Sequence, residues 1–154
     1  MLNIVLYQPE IPQNTGNIGR TCVLTGSRLH LIKPLGFEIS DKQIRRTGLD
    51  YWQELDLEIH ESWADFTQKY PRATLYAITT KGDRFYHEVP YQDGDFILFG
   101  QESRGLPETI REELKATLIR VPMIETSTRS LNLSNTVAIV AYEAMKAMNF
   151  PGMK

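Results

Sequence analysis

Asp95-Phe-Ile-Leu-Phe-Gly100-Gln-Glu-Ser-Arg-Gly105-Leu-Pro107 is the stretch on which the reading of this chain turns. Asp95 to Phe99 is a short apolar run that stops at a glycine, the pattern of a strand buried on both faces. Pro107 suits the first turn of a helix, here continuing to about Leu114. Between strand and helix lies a tight loop with two glycines and two opposite charges, Glu102 and Arg104. Glycines there let the backbone come close to a ligand or adopt positive φ.

The same alternation extends in both directions. Leu2 to Tyr7 reads as a first strand, broken by Pro9 and Pro12, and residues 13 to 25 as a helix closed by Gly26. Leu29 to Ile32 is a second strand. Ser40-Asp-Lys-Gln43 has the form of a capping box that opens a short helix. Ser62-Trp-Ala-Asp65 resembles another, opening a helix to Tyr70. Thr74 to Thr79 and Leu118 to Val121 are further strands. Asn135 to Met148 is a last helix whose apolar residues occupy nearly every face, so it is expected to be buried in a core or an interface. Strands alternating with helices, with no repeat or linker, imply an α/β fold with a mainly parallel sheet flanked by helices, in a single domain over residues 1–154.

Bulk properties fit that architecture. A chain of 154 residues, 42% hydrophobic and 23% charged, can build one core. No apolar run approaches the roughly 18 residues of a membrane span, and Met1 to Tyr7 lacks a basic leader. A cytoplasmic location is expected. The single cysteine, Cys22, excludes an intrachain disulfide and reads as a small core residue. The net charge of -2 argues mildly against a dedicated nucleic-acid protein, although a local arginine cluster can bind phosphates against an acidic background.

In a parallel sheet, ligands bind beyond the carboxyl ends of the strands. The decisive loops therefore follow Thr79, Phe99 and Val121. The last of these, Pro122 to Asn135, is long and rich in hydroxyls and amides, with Asn132 and Ser134 also suited to capping the final helix. Asn14-Thr-Gly-Asn-Ile-Gly-Arg20 leads from the first strand into a helix and offers an anion-binding start. No Walker-type glycine loop occurs. His30, His60 and His87 are scattered and read as structural or surface residues, with no zinc spacing, so no metal is expected. Around Ser103 the glycines stand one residue too far apart for a hydrolase elbow.

Three segments in order resemble the motifs of the SPOUT, or α/β-knot, methyltransferases: Asn14 to Arg20, Phe99 to Leu106, and Val121-Pro-Met123 with Ser130 to Asn135. Leu2 to Tyr7, Pro9 to Pro12, Arg45-Arg46, Gly48 to Tyr51 and Thr79 to Gly82 are similar to the small tRNA wobble-nucleotide 2′-O-methyltransferases. The resemblance covers essentially the whole chain. It implies S-adenosylmethionine as cofactor, the ribose 2′-hydroxyl of a wobble cytidine or uridine in the tRNA anticodon stem-loop as acceptor, a C-terminal trefoil knot, and a homodimer with cofactor sites near the subunit interface.

The resemblance also implies residue roles. Ile78, Gly100, Val121, Ser130 and Leu131 are carried over as cofactor contacts, and Asn14, Glu102 and Asn132 as organisers of the site. Arg20 is carried over as the catalytic arginine. A guanidinium keeps its charge in proteins, which suits a stabiliser of the incipient alkoxide better than a base; gripping a phosphate is the plainer role. Lys33, Arg45, Arg46, Lys81, Arg84 and Arg129 are candidate RNA contacts, and Tyr142 a candidate interface aromatic. Competing readings are methylation of another tRNA or rRNA nucleotide, a non-catalytic RNA-binding dimer of the same fold, and a serine hydrolase built on Ser103.

Overall fold

The computed structural model describes residues 1–40, 42 and 51–154. Seven strands are seen among them: β1 (Asn3–Tyr7), β2 (Arg28–Ile32), β3 (Leu57–His60), β4 (Leu75–Ile78), β5 (Arg84–Phe85), β6 (Phe96–Phe99) and β7 (Leu118–Arg120). They form one sheet in the order β3-β2-β1-β6-β4-β7-β5, and every pairing is parallel. The helices are α1 (Pro12–Thr25), α2 (Trp63–Lys69), α3 (Glu108–Glu113) and α4 (Leu133–Ala147). The mainly parallel α/β sheet expected from the sequence is present. The capping box at 40–43 lies outside the described residues.

Two-residue alternation distributes each central strand between two cores. Ile4, Leu6, Ile97 and Phe99 join Ile18, Cys22, Val137, Val140, Ala141 and Ala144 under α1 and α4. Val5, Phe96 and Leu98 join Phe66, Leu106 and Ile110 under α2 and α3. Helix ends follow the sequence signals. Ser62 Oγ accepts the Asp65 amide at 3.1 Å, and Gly26 closes α1 in the left-handed region at φ 63°. The all-round apolar pattern of α4 resolves into a buried face and an exposed one: Ile139 is 36% and Tyr142 42% exposed. No helix among the described residues is long and apolar enough to cross a membrane.

The histidines are structural or exposed, as expected, but two of them are not scattered in space. His30 and His60, on neighbouring strands, are brought together beneath the sheet, with His30 Nδ1 3.0 Å from His60 Nε2; His87 is exposed. Asn3 orders the pair. Its amide nitrogen donates to the carbonyls of Gly94 and Asp95, so its oxygen accepts from His30 Nε2 at 2.9 Å. His30 Nδ1 is then the acceptor for His60 Nε2–H, so the His30 ring is neutral. Glu58 borders the pair at 3.8 Å from each and is itself held by Lys69 and Tyr70.

Burial pushes the His30 pKa down to about 4, against the opposing pull of Glu58, and burial also lowers that of His60. An unfolded histidine titrates near 6.5. The stability gained by keeping His30 neutral is therefore complete above pH 6.5 and is lost as pH falls from 6.5 toward 4. At most about 3 kcal/mol is at stake, following from the size of that shift. Urea unfolding at a series of pH values is expected to show this decline, and His30→Gln to flatten it. Equal pH slopes for the two proteins would refute the assignment.

Candidate active site

A cavity of about 500 Å³ opens at the carboxyl ends of β4, β6 and β7, a volume suited to a small-molecule ligand. Ile78 and Phe99 end β4 and β6 and Val121 follows β7, all three lining the cavity, while Leu106, Met123 and Leu133 extend the apolar wall. Asn14, Glu102, Ser130, Asn132 and Thr136 supply the polar wall. The five expected cofactor residues, Ile78, Gly100, Val121, Ser130 and Leu131, all line it.

One hydrogen-bonded chain ties the three motifs together. Asn132 Oδ1 accepts the Ser134 amide at 2.8 Å and its hydroxyl at 2.6 Å, which caps α4. Asn132 Nδ2 donates to Asn14 Oδ1 at 3.0 Å, across 118 residues of sequence. Asn14 Nδ2 points to Glu102 Oε2 at 3.5 Å. The Glu102 carboxylate also accepts the amides of Glu10 and Ile11, at 2.9 and 2.6 Å, just ahead of α1. Asn132 thus both caps α4 and lines the cavity.

The loop after β6 is a tight turn closed by reciprocal bonds between the backbones of Gln101 and Gly105, at 3.1 and 2.9 Å. Gly105 has φ 65°. Gly100 is a glycine for a different reason: a Cβ there would lie 2.3 Å from the Gly105 carbonyl carbon and 2.5 Å from Leu106 N. The close approach expected at Gly100 is therefore to the loop's own backbone. At the tip, Glu10 Oε1 accepts the Ser103 amide and hydroxyl at 3.0 and 2.7 Å. These two bonds hold the Glu10 carboxyl below its usual range. Ser103 donates to a carboxylate and His30 and His60 lie elsewhere, so the hydrolase reading lacks its base.

The cations are placed less uniformly. Arg20 is exposed on α1 and does not line the cavity; its guanidinium lies 5.8 Å from the Tyr51 ring centre. Lys81 stands at the cavity. Lys33 pairs with Glu61 at 3.2 Å, Arg84 donates to the Glu88 carbonyl at 2.9 Å, and Arg129 is exposed. Arg45 and Arg46 lie outside the described residues. Sequence reasoning missed Arg104 and Arg111 as cavity cations. Arg104 was visible in the Gly100–Gly105 loop, whereas Arg111 lies on α3, outside the loops that the sequence singled out.

The SpoU rRNA Methylase family model matches residues 1–142. The chain is 48% identical over 155 residues to the tRNA (cytidine(34)-2'-O)-methyltransferase of Saccharophagus degradans, covering 100% of both. It is 50% identical over 153 residues to the enzyme of the same name from Escherichia coli K12, covering 99% of this chain and 97% of that one. A solved structure described as giving structural insights into the 2-OH methylation of C/U34 on tRNA matches with TM-score 0.91 and 44% identity, covering 97% of each chain. At 21% identity the SpoU methyltransferase AviRb from Streptomyces viridochromogenes, solved in complex with AdoMet, shares the fold with TM-score 0.85, covering 97% of this chain and 61% of that one. This chain belongs to the SpoU rRNA methylase family.

Proposed function

We propose that this protein is a tRNA 2′-O-methyltransferase that modifies the ribose of the wobble nucleotide, a cytidine or uridine at position 34, with S-adenosylmethionine as methyl donor. The observation that carries the reading is the cavity at the ends of β4, β6 and β7, walled by the three motif loops. The full-length identity of 48% and 50% to enzymes named for this reaction supports it. The cavity's residues fit the cofactor: apolar Ile78, Leu106 and Val121 suit an adenine ring, and Asn14, Ser130 and Asn132 offer polar partners. S-adenosylmethionine, when bound, supplies the methyl group on a positive sulfonium.

The chain's own residues have the remaining tasks. Glu102, Asn14 and Asn132 lock the start of α1, the loop after β6 and the start of α4 into one rigid frame, which orients reactants with little reorganisation. Lys81, Arg104 and Arg111 set positive charge at the cavity for RNA phosphates; Lys33, Arg84 and Arg129 extend that surface in this reading. Arg20 stabilises the oxyanion that forms as the 2′-hydroxyl loses its proton. Because Arg20 stands away from its own cavity, we assign it to the cavity of a second copy. Exposed Leu24 on α1 and Ile139 and Tyr142 on α4 give the apolar face through which a homodimer would form. The trefoil knot follows from family membership, and a tRNA substrate together with the buried thiol of Cys22 fits a cytoplasmic location.

The test incubates the protein with methyl-labelled S-adenosylmethionine and bulk tRNA and maps the labelled nucleoside. A 2′-O-methyl mark at nucleotide 34 is expected. Label elsewhere in the tRNA would overturn the wobble assignment and keep the reaction, and label only in rRNA would overturn the tRNA substrate.

A further inference from the structure

Arg20 rests against a corner of the fold that none of the three motifs includes. Tyr51 leads into a short 3-10 turn, Trp52–Glu54, closed by Glu54 N donating to the Tyr51 carbonyl at 2.9 Å. This turn sits on α1. The Tyr51 hydroxyl donates to the Gly16 carbonyl, one turn before Arg20. A Cβ at Gly19 would lie 3.1 Å from Trp52 Cζ3 and 3.3 Å from Leu55 Cδ2, so the glycine leaves room for the Trp52 ring and Leu55. The Tyr51 ring then lies 5.8 Å from the Arg20 guanidinium carbon, within cation–π reach. A solvated arginine otherwise samples many rotamers.

We infer that Tyr51 is a positioning residue for Arg20: seated on α1 with Trp52 packed at Gly19, its ring holds the guanidinium in the orientation from which it meets the reacting ribose. The inference rests on the reading of Arg20 as the group that stabilises the oxyanion. It explains why the segment Asn14 to Arg20 carries a glycine directly before the arginine. A Cβ at 19 would press on the side chains of Trp52 and Leu55, which would have to give by a few tenths of an ångström.

The test compares Tyr51→Leu, Tyr51→Phe and Arg20→Ala in the full-length protein. It follows kcat on tRNA, cofactor affinity by calorimetry, and the NMR shift of the Arg20 side-chain protons, which an adjacent ring moves upfield. Tyr51→Leu is expected to abolish the ring shift and lower kcat about tenfold, with cofactor affinity within about twofold of wild type. Tyr51→Phe, which loses the bond to Gly16 and keeps the ring, is expected to keep the shift and most of kcat. Unchanged kcat in Tyr51→Leu, or a parallel loss of cofactor affinity, overturns the inference. If Tyr51→Leu fails to fold, Tyr51→Met takes its place, keeping the bulk without a ring: the shift should vanish and kcat fall, and a lost shift with unchanged kcat overturns the inference. An inactive Arg20→Ala beside a fully active Tyr51→Leu overturns only the role of Tyr51. A fully active Arg20→Ala overturns the reading of Arg20 itself.

Discussion

Arg20→Ala is expected to lower kcat for tRNA methylation by about 100- to 1000-fold, the usual cost of removing one preorganised charge-stabilising donor. Cofactor affinity should stay within about twofold, because in this reading the charge of Arg20 meets an oxyanion that forms only in the transition state and not the bound cofactor. Arg20→Lys should recover little, since an ammonium lacks the planar guanidinium fork. The subunit assignment is tested by mixing two inactive proteins, Arg20→Ala and Asn132→Ala. If Arg20 serves the partner's cavity, a mixed dimer contains one site with both residues intact, and activity returns. If Arg20 serves its own chain, each subunit remains broken and mixing restores nothing. A kcat within threefold of wild type in Arg20→Ala would end the case for this residue.

Gly100→Ala is expected to abolish cofactor binding, raising Kd by at least about 100-fold, the cost of misplacing a preorganised wall. The added methyl has nowhere to go. It would meet backbone atoms of Gly105 and Leu106 at 2.3–2.7 Å, and no side chain can rotate aside to make room. The turn must open, which breaks the Gln101–Gly105 bonds and displaces Glu102 from Glu10, Ile11 and Asn14. Overpacking of this kind costs about 1–3 kcal/mol of stability, so the sheet should survive while the wall is lost. Calorimetry and thermal unfolding measure the two effects separately. A folded Gly100→Ala protein that binds S-adenosylmethionine within threefold of wild type would refute the argument.

Gly100 shows how far sequence reasoning reaches. Its place after a buried strand marked it as a site residue, because a short apolar run ending in glycine has few readings. That a Cβ there would also meet the loop's own backbone was not legible, since only the folded loop shows its backbone returning to within contact. Strands β1, β2, β4, β6 and β7 were legible for the same reason: each is a short apolar run flanked by glycine, proline or polar residues. Strands β3 and β5 were not. β3 is an edge strand of four residues, Leu57-Glu-Ile-His60, with only two apolar positions, both partly exposed. β5 is only two exposed residues long and pairs with β7 alone. Neither buries enough apolar surface to leave a pattern.

Local chemistry alone determined the alternation of strands and helices, the caps at Ser62 and Gly26, and the three polar loops at the strand ends, because each depends on neighbours within a few residues. Tertiary structure alone decided what distant residues do to one another. It joined Asn14 to Asn132 and Glu102, paired His30 with His60, turned Arg111 toward the cavity and set Arg20 beside Tyr51. Those contacts follow from sheet order and helix packing, which no periodicity encodes. A parallel sheet brings the ends of strands distant in sequence to one edge, and the site is assembled there.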